Sequence, residues 1–238
     1  MRAWIQRQTW SDLLFLHWPV PEAVLRRAVP SPLPIDTFGG SAWLGITPFE
    51  VSALRPRGLP SVARFAECNV RTYVTAEGRP AIWFLSLDAA SRLPVLGARA
   101  SYRLPYFHAA MSMERRGEEI AYRTRRSSPA AALVARYRPA GDVFRAAPGT
   151  LEHFLVERYR LATLDERRRL RYADIEHAPW PLQPAEAVVG ENTMAAPWGI
   201  ELGGAPLAHF AARLDVRIGP LRRGGRRSPA WRAPGGRS

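Results

Sequence analysis

Phe210, Ala212, Leu214, Val216 and Ile218 alternate with Ala211, Arg213, Asp215 and Arg217. This period of two predicts a half-buried β-strand. Residues 67–74 and 81–88 are two further strand-like runs, joined by six residues that include Gly78 and Pro80, and they read as a hairpin. Residues 107–114 and 119–126 predict a second hairpin, turning at Arg115-Arg116-Gly117, and 134–138 and 170–175 carry weaker strand patterns. Helix signals are fewer. Pro21 suits a first helical turn and starts a short helix to about Ala28. Thr150 caps a stronger one, in which Leu151, Phe154, Leu155 and Tyr159 share a face. Ser91 starts a third, short helix, since Pro94 is tolerated only in a first turn. With no internal repeat, the pattern predicts one antiparallel β-rich domain with a few peripheral helices.

Composition adds a core and removes several function classes. The chain has 238 residues, of which 47% are hydrophobic, enough for one sizeable domain. The longest uncharged apolar stretch, residues 37–49, is broken by Gly and Pro and is too short to span a bilayer. Residues 13–18 form an apolar patch without a small-residue cleavage site, so no secretory signal is expected. Cys68 is the only cysteine, which permits no internal disulfide and fits a reducing cytoplasm.

The net charge of +13 has two sources. Residues 220–238 hold six arginines, seven Pro or Gly and no acid, and are expected to be a disordered basic tail. Residues 1–219 form the expected domain, with 28 arginines against 21 acids. Basic charge is the one feature that favours nucleic acid, and no recognisable reading element accompanies it, so nucleic acid is not the expected partner. No His pair has metal-ligand spacing, and no Gly-rich loop or Gly-x-Ser-x-Gly elbow is present, so no metal or cofactor is expected.

The stretch from Glu67 to Tyr106 combines an acidic strand start, a Gly turn, a second strand ending in Leu87-Asp88, an Ala-rich segment, a Gly-x-Arg and an aromatic-x-x-Pro. It resembles the core of the acetoacetate decarboxylase-like superfamily, in which a Schiff-base lysine follows that proline. A nearer resemblance is carried by LLFLHWPVP (13–21), VPSPLPIDTFGGSAWLGITPF (29–49), LPYFHAAM (104–111), HAPWPLQ (177–183) and PLAHF (206–210). These segments are similar to the YqjF-like family of uncharacterised bacterial proteins. The resemblance implies an antiparallel sheet curved around a central pocket. It implies no imine chemistry, because the lysine positions are Tyr106 and Phe107 and the chain contains no lysine. Arginine stays protonated and is not a carbonyl nucleophile.

Candidate site residues follow from alternation and from the resemblance together. Glu67, Asn69, Arg71 and Tyr73 share one strand face, and Cys68, Val70, Thr72 and Val74 the other. That polar face points either to bulk water, as in most antiparallel sheets, or into a pocket. Glu67 sits 39 residues before Tyr106, matching how the superfamily spaces its glutamate from its lysine, which implies the pocket. Glu67 is then the acid–base candidate, and Tyr106 either a hydrogen-bond donor to a carbonyl oxygen or a space-filling aromatic. Arg71 is expected to pair with Glu67 or to hold a ligand carboxylate. Arg99 is expected to lock its loop, on Asp88 or on carbonyls. Tyr102, His108 and Trp180 complete the expected lining, with His108 on the Tyr106 face if the strand has begun there.

These residues predict a protein that binds a small organic acid or carbonyl compound, or an enzyme of lyase or isomerase type that works on it without an imine. A non-catalytic ligand-binding domain that has lost its nucleophile is the first alternative, and a nucleic-acid-associated basic protein the second. Homo-oligomerisation is left open.

Overall fold

The computed structural model describes residues 3–91 and 102–225, and strands dominate them as the alternation predicts. Four long strands lead the chain: β1 (Gln6–Val20), β2 (Ala42–Pro56), β3 (Ala63–Ala76) and β4 (Arg79–Ala89). β5 (Tyr106–His108), β6 (Ala110–Arg116), β7 (Glu119–Arg126) and β8 (Ala131–Pro139) follow. β9 (Arg160–Leu164), β10 (Leu170–His177), β11 (Gln183–Asn192), β12 (Leu207–Ile218) and β13 (Arg222–Arg223) complete the set. Two short helices, α1 (Glu22–Leu25) and α2 (Leu151–Val156), connect them.

One closure decides the architecture. β10, β9, β4, β3, β2, β1 and β12 are hydrogen-bonded in that order, and β10 also pairs with β12. The seam runs through Ile175↔Ile218, Glu176↔Arg217 and His177↔Val216, so seven strands form a ring. Closing a sheet removes its edges and encloses an interior. Most pairings are antiparallel as expected; β4 pairs in parallel with β5 and β9. From β12 the sheet continues through β11, β8, β7 and β6. Ile120, Tyr122, Leu133, Ala135 and Tyr137 of that extension pack against Leu14, Leu16, Leu44, Ile46, Cys68 and Val70 on the ring's outer face. Both faces of β1 to β3 are therefore covered.

Bulges set which residues point inward. Asp12 has φ +52°, and the β1–β2 register shifts between Ser11 and Leu16. Inward positions on β1 accordingly change from Gln8 and Trp10 to Leu13 and Phe15. A matching shift in β2, between Val51 and Leu54, moves them from Thr47 and Phe49 to Leu54 and Pro56. Bulges at one level on neighbouring strands bend both, which curves the ring.

Several expected boundaries shift. The β3–β4 hairpin turns in two residues rather than six: Glu77 and Gly78 both have positive φ, +54° and +69°, the geometry that matches strand twist. The expected strand over 107–114 breaks at Ala109, whose N–H donates to Ala89 O at 3.1 Å. Thr150 caps α2 as expected, its Oγ1 accepting from His153 N at 3.3 Å, but the helix stops at Val156, short of Tyr159. α1 is likewise shorter than expected. The helix expected from Ser91 falls on residues outside those described, as does most of the basic tail. The tail's first residues are paired rather than disordered: Arg222 and Arg223 form β13 against Tyr172 and Arg171. Gly225 N–H also donates to Glu77 Oε1 at 3.0 Å. Backbone pairing, which charge composition does not report, orders this stretch. Among the described residues no helix is long and apolar enough to cross a membrane.

Candidate functional site

The ring encloses a cavity of about 410 Å³, within the size range of small-molecule sites. Strand alternation brings Phe65, Glu67, Asn69 and Arg71 of β3 to its wall, while Cys68 and Val70 face the outer core. The polar face of β3 thus looks into the protein and not into bulk water. Most of the remaining wall is apolar or aromatic, including Phe15, Phe49, Phe84, Leu87 and Ile175.

Glu67 and Tyr106 meet in this wall. The Tyr106 hydroxyl donates to Glu67 Oε2 at 3.3 Å. Tyr106 reaches it because β5 runs parallel to β4, with Tyr106 beside Leu87, and Leu87 N–H donates to Pro105 O at 3.0 Å. Glu67 is 5% exposed. Burial pushes its carboxyl up from 4.5 to about 8; the Tyr106 bond pulls it down and the nearby Asp88 charge pushes it up. The carboxyl is therefore mostly protonated at neutral pH and close to its midpoint. Burial, and then the Glu67 charge, push the Tyr106 phenol well above its ordinary value, so it acts as a hydrogen-bond donor.

Arg71 does not pair with Glu67, which was one of the two roles expected of it. Four residues of extended strand separate their Cα atoms by about 13 Å, and Asn69 stands between them on the same face. Arg71 is 6% exposed. Its guanidinium lies 5.4 Å from the Phe15 ring centroid, and one Nη donates a long 3.5 Å bond to Leu155 O. Its Nε has no partner among the protein's groups, and no described carboxylate forms an ion pair with it. A β-bulge between Val70 and Arg71 in the β3–β4 register aims it.

The other expected residues divide. Tyr102 lines the cavity with its ring, while its hydroxyl donates to Gly219 O at 3.1 Å near the ring's seam. Trp180 is a wall residue, stacked on Trp10 at 6.0 Å and edge-on to Phe15 at 4.9 Å. Its backbone N–H donates to Glu157 Oε1 at 2.8 Å, which holds the proline-flanked segment in place. His108 is exposed and does not line the cavity. His108 is the last residue of β5 and shares Tyr106's side of the strand, but it lies beyond the part that lines the cavity. Arg99 lies outside the described residues. The partner proposed for it, Asp88, is instead bound by Arg126 of β7 at 2.6 Å, both side chains fully buried on the outer face of the ring. Asp88 is nonetheless raised to about 6 by burial, against the lowering effect of Arg126.

Two cavity residues escaped the reading of the sequence. Arg158 follows α2 with no strand pattern around it. Its Nη1 donates to Asp36 Oδ2 at 2.6 Å and its guanidinium stacks 4.2 Å over Phe154. His177 ends β10 in phase with the inward Ile175, a signal that alternation offered. Burial holds its imidazole below its usual value, while bonding to Ala178 O pulls it up. Together these groups can present a proton-exchanging carboxyl and a phenol donor to one part of a bound molecule, and positive charge to another.

Comparison with known proteins agrees with the fold. The Enduracididine biosynthesis enzyme MppR, complexed with the condensation product of pyruvate and imidazole 4-carboxaldehyde, superposes with TM-score 0.67 at 11% identity, over 94% of this chain and 90% of its own. An acetoacetate decarboxylase from Legionella pneumophila matches with TM-score 0.61 at 11% identity, over 93% and 88%. At such identities the likeness establishes the fold alone, which is acetoacetate decarboxylase-like. In sequence, the uncharacterized protein YqjF of Bacillus subtilis (strain 168) is 49% identical over 225 residues, spanning 92% of this chain and 93% of its own length. Residues 7–215 match the family described as uncharacterized conserved protein, DUF2071, and with that span the chain belongs to this family.

Proposed function

We propose that this protein binds a small organic acid or carbonyl compound in the ring cavity, with Glu67 and Tyr106 supplying acid–base chemistry at the carbonyl. One observation carries the reading: a buried carboxyl, held by a phenol and poised at about 8, faces an enclosed and largely apolar cavity. Perturbed carboxyls of this kind mark functional sites, because a proton donor works best with a pKa near the ambient pH. Neutral Glu67 and the Tyr106 hydroxyl would donate to the carbonyl oxygen; ionised Glu67 would accept a proton. Enolisation, hydration or non-imine lyase chemistry fits these groups. The MppR complex with pyruvate supports a carbonyl acid as the kind of ligand this scaffold accommodates. Imine formation from a side chain is excluded, since the sequence has no lysine.

The test has two stages. A thermal-shift screen of small carboxylates and carbonyl compounds, followed by calorimetry, finds ligands. Incorporation of deuterium next to the bound carbonyl in D2O, read by NMR, then detects proton transfer. Glu67→Gln and Tyr106→Phe are expected to abolish or sharply slow the exchange while still binding the ligand. Binding without exchange in the parent protein would make the domain a non-catalytic binder. Borohydride reduction with acetoacetate, after the N-terminal amine is blocked, should leave no internal adduct.

A further inference from the structure

Asn69 stands in the cavity wall between Glu67 and Arg71, and neither the fold nor the acid–base pair accounts for it. It is 6% exposed and lines the cavity. Its Oδ1 is enclosed without a hydrogen-bond partner, and its amide nitrogen donates to no group among the described residues. Thr47 is its direct neighbour in the β2–β3 register, yet the Thr47 hydroxyl makes no bond to the amide and also lacks a partner. A buried amide in a structural role is hydrogen-bonded, because leaving it unpaired costs free energy. This one keeps its donors unused in the wall of a cavity.

Register places it beside the reacting groups. Asn69, Leu87 and Tyr106 form one row across β3, β4 and β5, Asn69↔Leu87 and Leu87↔Tyr106, and all three line the cavity. Glu67 lies two residues along β3 on the same face, its Cα about 7 Å from that of Asn69. A carbonyl group and its neighbouring carbon can span that gap when each is met at hydrogen-bond distance. The Tyr106 hydroxyl is already bound to Glu67 Oε2 at 3.3 Å. Once Glu67 ionises, that bond favours the anion, so the phenol is held on the carboxylate and not on the substrate. The substrate oxygen then needs another donor.

We propose that Asn69 is a further catalytic residue, whose amide N–H binds the carbonyl oxygen of the substrate and the enolate oxygen formed from it. The assignment rests on the proposed function and narrows its substrates to carbonyl compounds with a C–H bond next to the carbonyl. Ionised Glu67 takes that proton; the C–H electron pair becomes the C=C bond, and the carbonyl π pair moves onto the oxygen that Asn69 holds. Return of a proton from Glu67 to carbon, with the electrons moving back, restores carboxylate and carbonyl, so no oxidant or co-reactant is required. A fixed amide dipole aimed at developing charge acts in such an enclosed site without reorganising.

Deuterium exchange in D2O, followed by NMR on the full chain with pyruvate, levulinate and 4-phenylbutan-2-one as probes, tests this. Asn69→Leu should slow exchange about a hundredfold or more while calorimetry shows the probe still bound. Asn69→Ala, which adds no bulk, should do the same and guards against crowding in the first variant. The melting temperature of Asn69→Leu should hold or rise, since the lost amide bonds to nothing. The pH midpoint of exchange should stay in place, because Tyr106 and Asp88, and not Asn69, act on the Glu67 carboxyl. Exchange close to the parent rate in both variants, a fall in melting temperature matching the loss of exchange, or a displaced midpoint would overturn the assignment. If Glu67→Gln stops exchange while both Asn69 variants keep it, the proposed function stands without Asn69. If no probe exchanges in the parent, both fall.

Discussion

The two faces of β3 and β4 hold buried charge in opposite ways. On the outer face, Asp88 meets Arg126 at 2.6 Å, with β4 supplying the acid and β7 the base. On the inner face, Glu67 and Arg71 come from the same strand and stay apart, the acid bonded to Tyr106 and the base without an acidic partner. Two packed sheets can bring any acid and base into register, whereas one extended strand holds its own residues at set intervals. The outer pair is an internal ion pair whose loss would leave one buried charge alone. The inner pair is left open on a cavity, so its charges are available to a ligand. Position in the fold, more than residue type, separates structural from functional charge here.

Breaking the outer pair should have the largest effect. Arg126→Met would leave Asp88 buried and alone, and a loss of about 3–5 kcal/mol in unfolding free energy is expected above pH 6. Denaturant titration reads this directly. A loss under 1 kcal/mol would mean that the outer pair is not the structural counterpart described.

Glu67→Gln should act in the opposite direction and depend on pH. The native carboxyl has its pKa raised from 4.5 to about 8, so below 4.5 both states are protonated and the group contributes nothing. Between 4.5 and 8 the unfolded chain ionises while the native one does not, and stability falls as pH rises. Asp88, raised to about 6, acts in the same sense, so the difference between parent and variant isolates Glu67. The variant should gain about 2–4 kcal/mol over the parent by pH 8 and show no advantage at pH 4. A difference that does not change with pH would place Glu67 in water.

Arg71→Met sharpens the contrast with Arg126→Met, because it removes an uncompensated cation. Stability should stay level or rise by about 1 kcal/mol, and a fall of the Arg126→Met size would reveal a protein partner for Arg71. Tyr106→Phe should have the smallest effect, a loss of about 1 kcal/mol for one hydrogen bond. It should also raise the pH midpoint of the Glu67 signal, since the bond to Tyr106 lowers that pKa. NMR titration of the carboxyl would follow it, and a midpoint that falls would contradict the hydrogen bond.

Much of the scaffold was legible because strands write their faces into the sequence. The strand over residues 210–218, the β3–β4 hairpin and the Thr150 cap all appear in the structure, although the alternation holds only from Leu214 to Ile218, because Ala211 rather than Phe210 or Ala212 shares their face. The boundaries were less legible. The turn at Glu77 and Gly78 is tighter than its Gly and Pro suggested, and β13 is held by pairing with β10 that no composition reports. Within the site, Glu67, Tyr106 and Trp180 were legible through the resemblance to the acetoacetate decarboxylase-like superfamily and the YqjF-like family, not through alternation alone. His108 was misread because sharing the Tyr106 face does not carry it as far as the cavity: it stands exposed at the end of β5. Arg158 was missed because it lies between elements and belongs to no period.

The sequence by itself determined that Glu67, Asn69 and Arg71 share a strand face, and that no lysine is present for an imine. Alternation carries that information because successive side chains leave a strand on opposite sides. What covers each side is not local. The β10–β12 seam joins Ile175 to Ile218 and closes the ring, turning the polar face inward, while bulges at Asp12 and in β2 choose which residues follow it. The tertiary structure alone brought Tyr106 to Glu67, Arg126 to Asp88, and His17 and Tyr73 into contact over Gly45. Those meetings depend on strand order and register, which bring together residues far apart in the chain.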